Sequence, residues 1–173
     1  MISTRIASGD DFELLATLGR MAFSEAFGQY NNADDMQAYL DTAFNPEIIH
    51  EQLNDPDVIY FIASFFEEPV GYAKMKRASA PKELKNSRCM QLERIYALQE
   101  FIGKKIGNAL MLECIKTAQS ESCEYLWLGV WQQNERAINF YKNRDFNIIG
   151  VKQFIIGKEV NDDFLMALHL KTP

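Results

Sequence analysis

The stretch of sequence that decides the fold is Leu92-Glu93-Arg94-Ile95-Tyr96-Ala97-Leu98-Gln99-Glu100-Phe101-Ile102-Gly103-Lys104-Lys105-Ile106-Gly107-Asn108-Ala109-Leu110. It predicts a strand, then a turn that contains glycine, then a helix that begins directly behind the turn. The first N–H groups of such a helix have no partner within it and lie at the positive end of its dipole, so they can hold a phosphate group. An ordinary strand-to-helix turn with two solvated lysines explains the pattern equally well. The spacings of a Walker A loop and of a G-x-G-x-x-G fingerprint are both missing.

A second informative stretch covers residues 127–146 and again joins a strand to a short helix. Asn134 precedes the helix in the position of a capping residue, while Ala137, Ile138 and Tyr141 fall on one helix face. Helix capping for Asn134 and burial for Tyr141 are the plain interpretations, and either residue could also serve a site.

The remaining segments predict helices in the first third of the chain and a mostly antiparallel sheet after it. Asp10 followed by Glu13 predicts a capping box at the start of the first helix, and Gly28 predicts its end. The other predicted elements are helices from about Asn32 and from Pro46, a hairpin of residues 58–63 and 70–75, a long helix from Ile106, a short helix over 135–144, and strands near residue 5 and over 90–98, 125–131, 146–151 and 164–170.

Composition limits the classes of protein that this chain can represent. Its 173 residues, 47% of them apolar, predict one globular domain over residues 1–173. A formal charge of −6 disfavours nucleic acid as a partner, because phosphate binding needs a basic face. No apolar run reaches the roughly 20 residues that cross a bilayer, and residues 1–6 show no h-region followed by a cleavage site, so we expect no membrane association and a cytoplasmic location. Three cysteines without metal-ligand spacing predict reduced thiols and no metal site.

Taken together, the two stretches resemble the GNAT superfamily of acyl-CoA-dependent N-acyltransferases over nearly the whole chain. Within the superfamily the sequence looks most like the PaiA-type spermidine and polyamine acetyltransferases. The residues that carry this closer resemblance are 23–27, 31–40, 92–96 and 127–131, with a broader likeness to spermidine/spermine acetyltransferases in Asn139-Phe140-Tyr141-Lys142.

The resemblance implies a mixed α/β GNAT fold, with a mostly antiparallel twisted sheet and helices on both faces. It also implies acetyl-CoA as the cofactor, with its pantetheine arm along the strand and its pyrophosphate on the turn. The implied cofactor-binding residues are Ile95, Tyr96, Ala97, Leu98, Ile102, Gly103, Lys104, Lys105, Ile106, Gly107, Asn108, Asn134 and Tyr141. The chain departs from the family loop at two positions, since Ile102 replaces a polar residue and Lys105 replaces a glycine.

The resemblance also assigns catalytic roles. Glu93 matches the strand glutamate that acts as a base through water, although an ion pair with Arg94 or a nearby lysine is the alternative. Tyr141 matches the tyrosine that donates a proton to the leaving sulfur. A main-chain N–H near Ala97 or Leu98 would meet the developing oxyanion.

The expected acceptor is a small amine, bound by Tyr30, Asn31, Asp34 and Glu93. Asp34, at the start of a predicted helix, could equally stabilise the positive end of the helix dipole. Two other functions stay open: acetylation of a protein N-terminus or lysine, and a CoA-binding regulatory module with little turnover, which the changes at Ile102 and Lys105 motivate. The family often forms dimers, so a homodimer also stays open.

Overall fold

A computed structural model describes residues 1–77 and 79–171 of the chain. The strands and helices follow one another along the chain in the predicted order. In chain order they are β1 (Ile2–Ile6), α1 (Phe12–Phe27), α2 (Ala33–Ala43), α3 (Pro46–Leu53), β2 (Val58–Phe65), β3 (Glu68–Lys76), β4 (Cys89–Ala97), α4 (Ile106–Ser120), β5 (Tyr125–Trp131), α5 (Glu135–Lys142), β6 (Asn147–Ile156) and β7 (Glu159–His169).

The strands form one seven-stranded sheet in the order β1-β2-β3-β4-β5-β7-β6. Every neighbouring pair is antiparallel except β4 with β5, which is parallel. This confirms the predicted mixed α/β fold with a mostly antiparallel sheet. The parallel pair lies in the middle of the sheet and decides where the functional site forms.

Strands β4 and β5 pair over only three residues of each, from Cys89 with Tyr125 to Gln91 with Trp127. Just beyond that point the register between β3 and β4 shifts, because Met75 pairs with Leu92 while Lys74 pairs with Arg94. The extra residue in β4 is Glu93. A bulge of this kind bends its strand and increases the local twist, so it turns β4 away from β5 and opens a cleft between them.

Helices cover both faces of the sheet around this cleft. Helix α4 buries Leu110, Met111 and Cys114 against one face. Helix α1 buries its own apolar side against the other, where Phe23 packs on Tyr96 of β4 at 6.1 Å between ring centroids. Because side chains alternate along a strand, β4 presents residues to both layers.

Two predictions about element boundaries are wrong. The capping box forms at Ser8 and Asp11 instead of Asp10 and Glu13, because Asp11 accepts the Ser8 N–H at 2.7 Å and is held by Arg5. The last two strands are longer than predicted and form a hairpin around Gly157, since Phe154, Ile155 and Ile156 extend β6 and pair with the polar first residues of β7, which have low strand propensity. Within the described residues, no helix is both long and apolar enough to cross a membrane.

Candidate active site

A cavity of about 880 Å³ fills the cleft between β4 and β5. One end is lined by the loop before α4, by the start of α4 and by α5. The other end is lined by the segment between α1 and α2, by the bulged part of β4, and by β5, β6 and β7. We call these two parts the loop end and the sheet end of the cavity.

At the loop end, the backbone turns sharply before α4 begins. Gly103 has φ +84° and Lys105, the residue that precedes the helix, has φ +65°. Ala109 donates its N–H to the Lys105 carbonyl at 3.1 Å, which is the first backbone hydrogen bond of α4. No acceptor for the N–H groups of Ile106, Gly107 and Asn108 is present in the described part of the chain, so these groups are available to a phosphate.

The structure brings together most of the predicted loop residues, and Lys104 is the exception. The side chain of Lys104 lies over the ring of Phe101 at 4.5 Å and near that of Phe65 at 5.3 Å. Lys104 therefore lies on apolar surface and does not line the cavity, and its role as a cofactor ligand stays a prediction. The residues that do line the cavity are Ile102, Gly103, Lys105, Ile106, Gly107 and Asn108.

Strand β4 directs alternate backbone groups into the cleft. Leu98 donates its N–H to the Val70 carbonyl at 2.9 Å, across the side of β4 that faces β3. In an antiparallel pair these bonds alternate, so the N–H and C=O groups of Ile95 and Ala97 point to the opposite side, toward β5. Leu98 is buried and its N–H is already used, so it cannot meet an oxyanion, whereas Ile95, Tyr96 and Ala97 line the cavity as predicted.

Helix α5 contributes Asn134 and Tyr141 to the cavity wall. The Asn134 side chain also accepts the N–H of Ala137 at 3.2 Å and so caps the helix, as its plain interpretation predicts. Tyr141 is buried between Phe140 and Phe146, at 5.5 and 5.7 Å between ring centroids. Burial raises the pKa of Tyr141, which keeps its hydroxyl protonated at neutral pH and able to donate.

The predicted base, Glu93, lies at the sheet end in an ion pair with Lys74. Burial raises the pKa of Glu93, but the Lys74 ammonium, with smaller effects of the positive charges of Arg94 and Lys76, brings the net pKa below its ordinary value. The guanidinium of Arg94 does not share this pair and lies 4.5 Å from the centroid of the Phe44 ring. Of the alternatives open from the sequence, the pair with a nearby lysine is the one present.

The segment between α1 and α2 closes the sheet end with aromatic rings. Tyr30 and Phe27 pack on Trp131 of β5 at 4.9 and 6.3 Å between centroids, and Asn31 donates to the Phe27 carbonyl at 2.9 Å. Tyr30 and Asn31 line the cavity. Asp34 does not, since it lies in the first turn of α2, where its N–H donates to the capping side chain of Asn32. The substrate roles of all three residues stay predictions.

This arrangement has counterparts in known proteins. The model of the acetyltransferase (GNAT) family matches residues 21–146. The chain belongs to the GNAT family. An uncharacterized N-acetyltransferase from the pepI 3′ region of Lactobacillus delbrueckii subsp. lactis is 28% identical over 94% of each chain. An uncharacterized N-acetyltransferase of Mycobacterium bovis is 28% identical over 92% of this chain and 98% of its own.

Solved structures share the same GNAT fold. The PaiA N-acetyltransferase of Thermoplasma acidophilum in complex with coenzyme A has a TM-score of 0.78 at 20% identity, over 98% of this chain and 99% of its own. Arabidopsis thaliana NAA60 in complex with a bisubstrate analogue has a TM-score of 0.75 at 17% identity, over the whole of both chains. The family match and the N-acetyltransferase relatives together make the protein an acetyl-CoA-dependent N-acetyltransferase.

The loop end of this GNAT enzyme fits the cofactor. The N–H groups at the start of α4 are the donors that a pyrophosphate needs, and Lys105 adds a positive charge beside them. The free backbone groups of Ile95 and Ala97 suit the amides of a pantetheine arm in the cleft. Bound acetyl-CoA supplies an activated acetyl thioester to the amine.

Several residues of the site were missed by sequence reasoning. Arg136 and Arg144 of α5 and its C-terminal turn add positive charge at the loop end, and Lys152 lines the sheet end. Asp163 of β7 also lines the sheet end, although only 8% of it is exposed. An acidic residue at the start of an apolar strand was the one signal for it. No group of three potential metal ligands occurs among residues 1–77 and 79–171.

Proposed function

We propose that this GNAT enzyme acetylates a primary amine of a small polyamine of the spermidine/spermine type. The observation that carries the proposal is the sheet end of the cavity, where aromatic rings surround an opening toward the carboxylate of Glu93. The resemblance of residues 92–96 and 127–131 to the PaiA-type enzymes supports the same acceptor.

Aromatic rings and carboxylates are the groups that recognise extended ammonium ions. Tyr30 is half-exposed at the mouth and its ring meets that of Trp131, so an aliphatic amine entering here contacts ring faces and edges. A cation beside an aromatic face gains about 0.5–2 kcal/mol, more where water is excluded. The carboxylate of Glu93 and the formal charge of −6 attract the remaining ammonium groups.

The proposed residue roles follow the two ends of the cavity. The turn from Gly103 to Asn108 holds the phosphates, and Ile95 with Ala97 orients the arm that carries the thioester. Tyr141 gives its proton to the sulfur as the amine attacks directly in a ternary complex. Glu93 holds a negative charge where the acceptor enters, and its role as a water-relayed base stays a prediction.

The test is acetyl-CoA binding by calorimetry, followed by thiol release in the same preparation with spermidine as acceptor. Peptides with a free N-terminus or an internal lysine serve as competing acceptors. We expect the largest kcat/KM for spermidine, and a higher KM for spermidine in Trp131→Ala than in Phe66→Ala, a control at the exposed β2–β3 turn. Peptide-dependent release without spermidine-dependent release would show a protein acceptor, and binding without any release would show a regulatory module.

A further inference from the structure

Asp163 is a buried carboxylate that lies in the sheet end of the cavity and that the roles above leave unused. It belongs to β7, where it pairs in register with Trp131 of β5 on one side and Lys152 of β6 on the other. We propose that Asp163 receives the ammonium group of the acceptor and takes up its proton before acetyl transfer. The inference rests on the proposed amine acceptor and requires no particular amine.

One oxygen of the Asp163 carboxylate is unsatisfied by the residues that the structure describes. The Oδ1 atom of Asp163 is buried and has no hydrogen-bond partner among the described residues. A buried charged group without a partner costs free energy that a native structure normally avoids, and such groups often mark a functional site. An ammonium ion, with three N–H donors, is the ligand that satisfies a carboxylate in this position.

Gly129 on β5 leaves space beside the Asp163 carboxylate. A Cβ at this residue would lie 3.3 Å from Oδ2 of Asp163, so the carboxylate leans over β5 where no side chain blocks it. Gly129 follows Trp127, the last β5 residue paired with β4, by two positions. The Asp163 carboxylate thus lies beside β5, at the point along this strand where β4 and β5 separate. Strand β5 flanks the proposed position of the thioester.

The charges around Asp163 also favour a role as proton acceptor. The ammonium of Lys152 from β6 and the carboxylate of Asp162 on its own strand are the charged groups that act on it, and within the residues described here it forms no ion pair. Burial raises the pKa of Asp163 to about 6, against a smaller opposing effect of Lys152. Glu93, in contrast, is held ionised by Lys74. Of the two carboxylates, Asp163 is the better proton acceptor near neutral pH.

The proposed acetyl transfer balances in atoms and protons without an additional reactant. An N–H bond of the ammonium breaks and its proton moves to an oxygen of Asp163. The electron pair left on nitrogen forms the N–C bond to the acetyl carbon as the C–S bond breaks. Nitrogen then loses a second proton, which replaces the one that Tyr141 gives to sulfur, and Asp163 returns its proton to solvent, so each transfer releases one proton.

The test compares Asp163→Asn, Asp163→Glu and the neighbouring control Asp162→Asn with wild type. Each is assayed with acetyl-CoA on spermidine, a free N-terminal peptide and a lysine peptide. We expect Asp163→Asn to lower kcat/KM about 100-fold on the best wild-type acceptor and to leave the Kd of acetyl-CoA unchanged. Asp163→Glu should recover part of the rate, and Asp162→Asn should keep all of it.

The pH profile separates a proton acceptor from a structural residue. Wild-type kcat/KM should show an added decrease below about pH 6 that Asp163→Asn lacks. Since the ionised form is disfavoured by burial, Asp163→Asn should unfold at the same or a higher temperature at pH 7.5. A wild-type rate or an unchanged acid limb in Asp163→Asn would overturn the inference. A peptide as best acceptor would instead overturn only the proposed polyamine substrate.

Discussion

The carboxylate of Glu93, on the wall of the sheet end of the cavity, forms an ion pair with the ammonium of Lys74. Lys74 lies on β3 and its side chain is only 7% exposed, while Glu93 is the extra residue of the β4 bulge. The bulge therefore does two things, since it opens the cleft and turns a carboxylate toward the lysine of the neighbouring strand. A charge fixed in this way attracts a cation better than it accepts a proton.

Replacing Glu93 by Gln should raise the KM for spermidine roughly 10-fold through loss of one close charge interaction. The acid limb of the pH profile and the Kd of acetyl-CoA should stay as in wild type. Steady-state kinetics across pH 5–9 measures all three quantities.

Glu93→Gln also leaves the ammonium of Lys74 buried without a partner, which lowers the free energy of unfolding. The double variant Glu93→Gln with Lys74→Met removes that charge and should recover the unfolding temperature but not the KM. Loss of the acid limb in Glu93→Gln, with the limb intact in Asp163→Asn, would show that Glu93 is the base.

Tyr141→Phe should lower kcat about 100-fold, because it removes the hydroxyl proton that the leaving sulfur takes up. The ring still packs between Phe140 and Phe146, so the affinity for acetyl-CoA should not change. Stopped-flow detection of thiol release, with calorimetry of acetyl-CoA binding, gives both values. Tyr125→Phe is the matched control, because Tyr125 begins β5 at the end opposite Trp131 and does not line the cavity. It should leave kcat unchanged. An unaffected kcat in Tyr141→Phe would remove the hydroxyl from the reaction.

The sequence predicted the loop end of the site better than the sheet end, for a physical reason. The residues from Ile102 to Asn108 form their turn from contiguous chain, and local propensity with helix-end chemistry is enough to identify it. Asp163 and Lys74 come from strands that the sheet order alone brings beside β5 and β4. No local pattern specifies that order, so neither residue could be placed from sequence.

Side-chain direction within the loop could not be predicted either. Lys104 and Lys105 are adjacent and chemically identical, yet only Lys105 lines the cavity, because the left-handed backbone at Lys105 reverses the direction of the chain. The apolar surface of Phe101 and Phe65 then holds the stem of Lys104. The sequence positions of the two lysines predict neither the chain reversal at Lys105 nor the apolar contacts of Lys104.

The two lysines give a matched pair of variants. Lys105→Met should weaken CoA binding severalfold, and the difference should shrink at high salt, because it removes a charge beside the phosphates. Lys104→Met should bind CoA as tightly as wild type. Calorimetry at two salt concentrations measures both, and an equal loss in the two variants would contradict the contrast between them.

Lys105→Gly separates charge from backbone strain. A non-glycine residue in the left-handed region costs about 1–2 kcal/mol, so glycine at φ +65° should raise the free energy of unfolding by up to about that amount. Its CoA affinity should match that of Lys105→Met. Urea unfolding and CoA calorimetry measure stability and affinity in Lys105→Gly and Lys105→Met. Tighter CoA binding by Lys105→Gly than by wild type would show that the lysine obstructs the loop.

Gly71→Ala should damage both the fold and the cofactor site. A Cβ at Gly71 of β3 would lie 2.8 Å from Cγ2 of Ile106 and 2.8 Å from the carbonyl oxygen of Tyr96. The carbonyl belongs to β4 and cannot move without the strand, while Ile106 opens α4. We expect a loss of about 1–3 kcal/mol in unfolding free energy and weaker CoA binding as α4 is displaced.

Gly28→Ala is the control for that experiment. Gly28 follows α1 with φ −58°, and no atom lies within 4 Å of the position that a Cβ would take. Alanine fits this conformation, so stability should stay the same or rise by about 0.4–1 kcal/mol through the unfolded state. Urea unfolding and CoA calorimetry on both variants measure the contrast. A wild-type unfolding midpoint in Gly71→Ala would show that β3 and α4 are packed less closely than the distances to Ile106 and Tyr96 require.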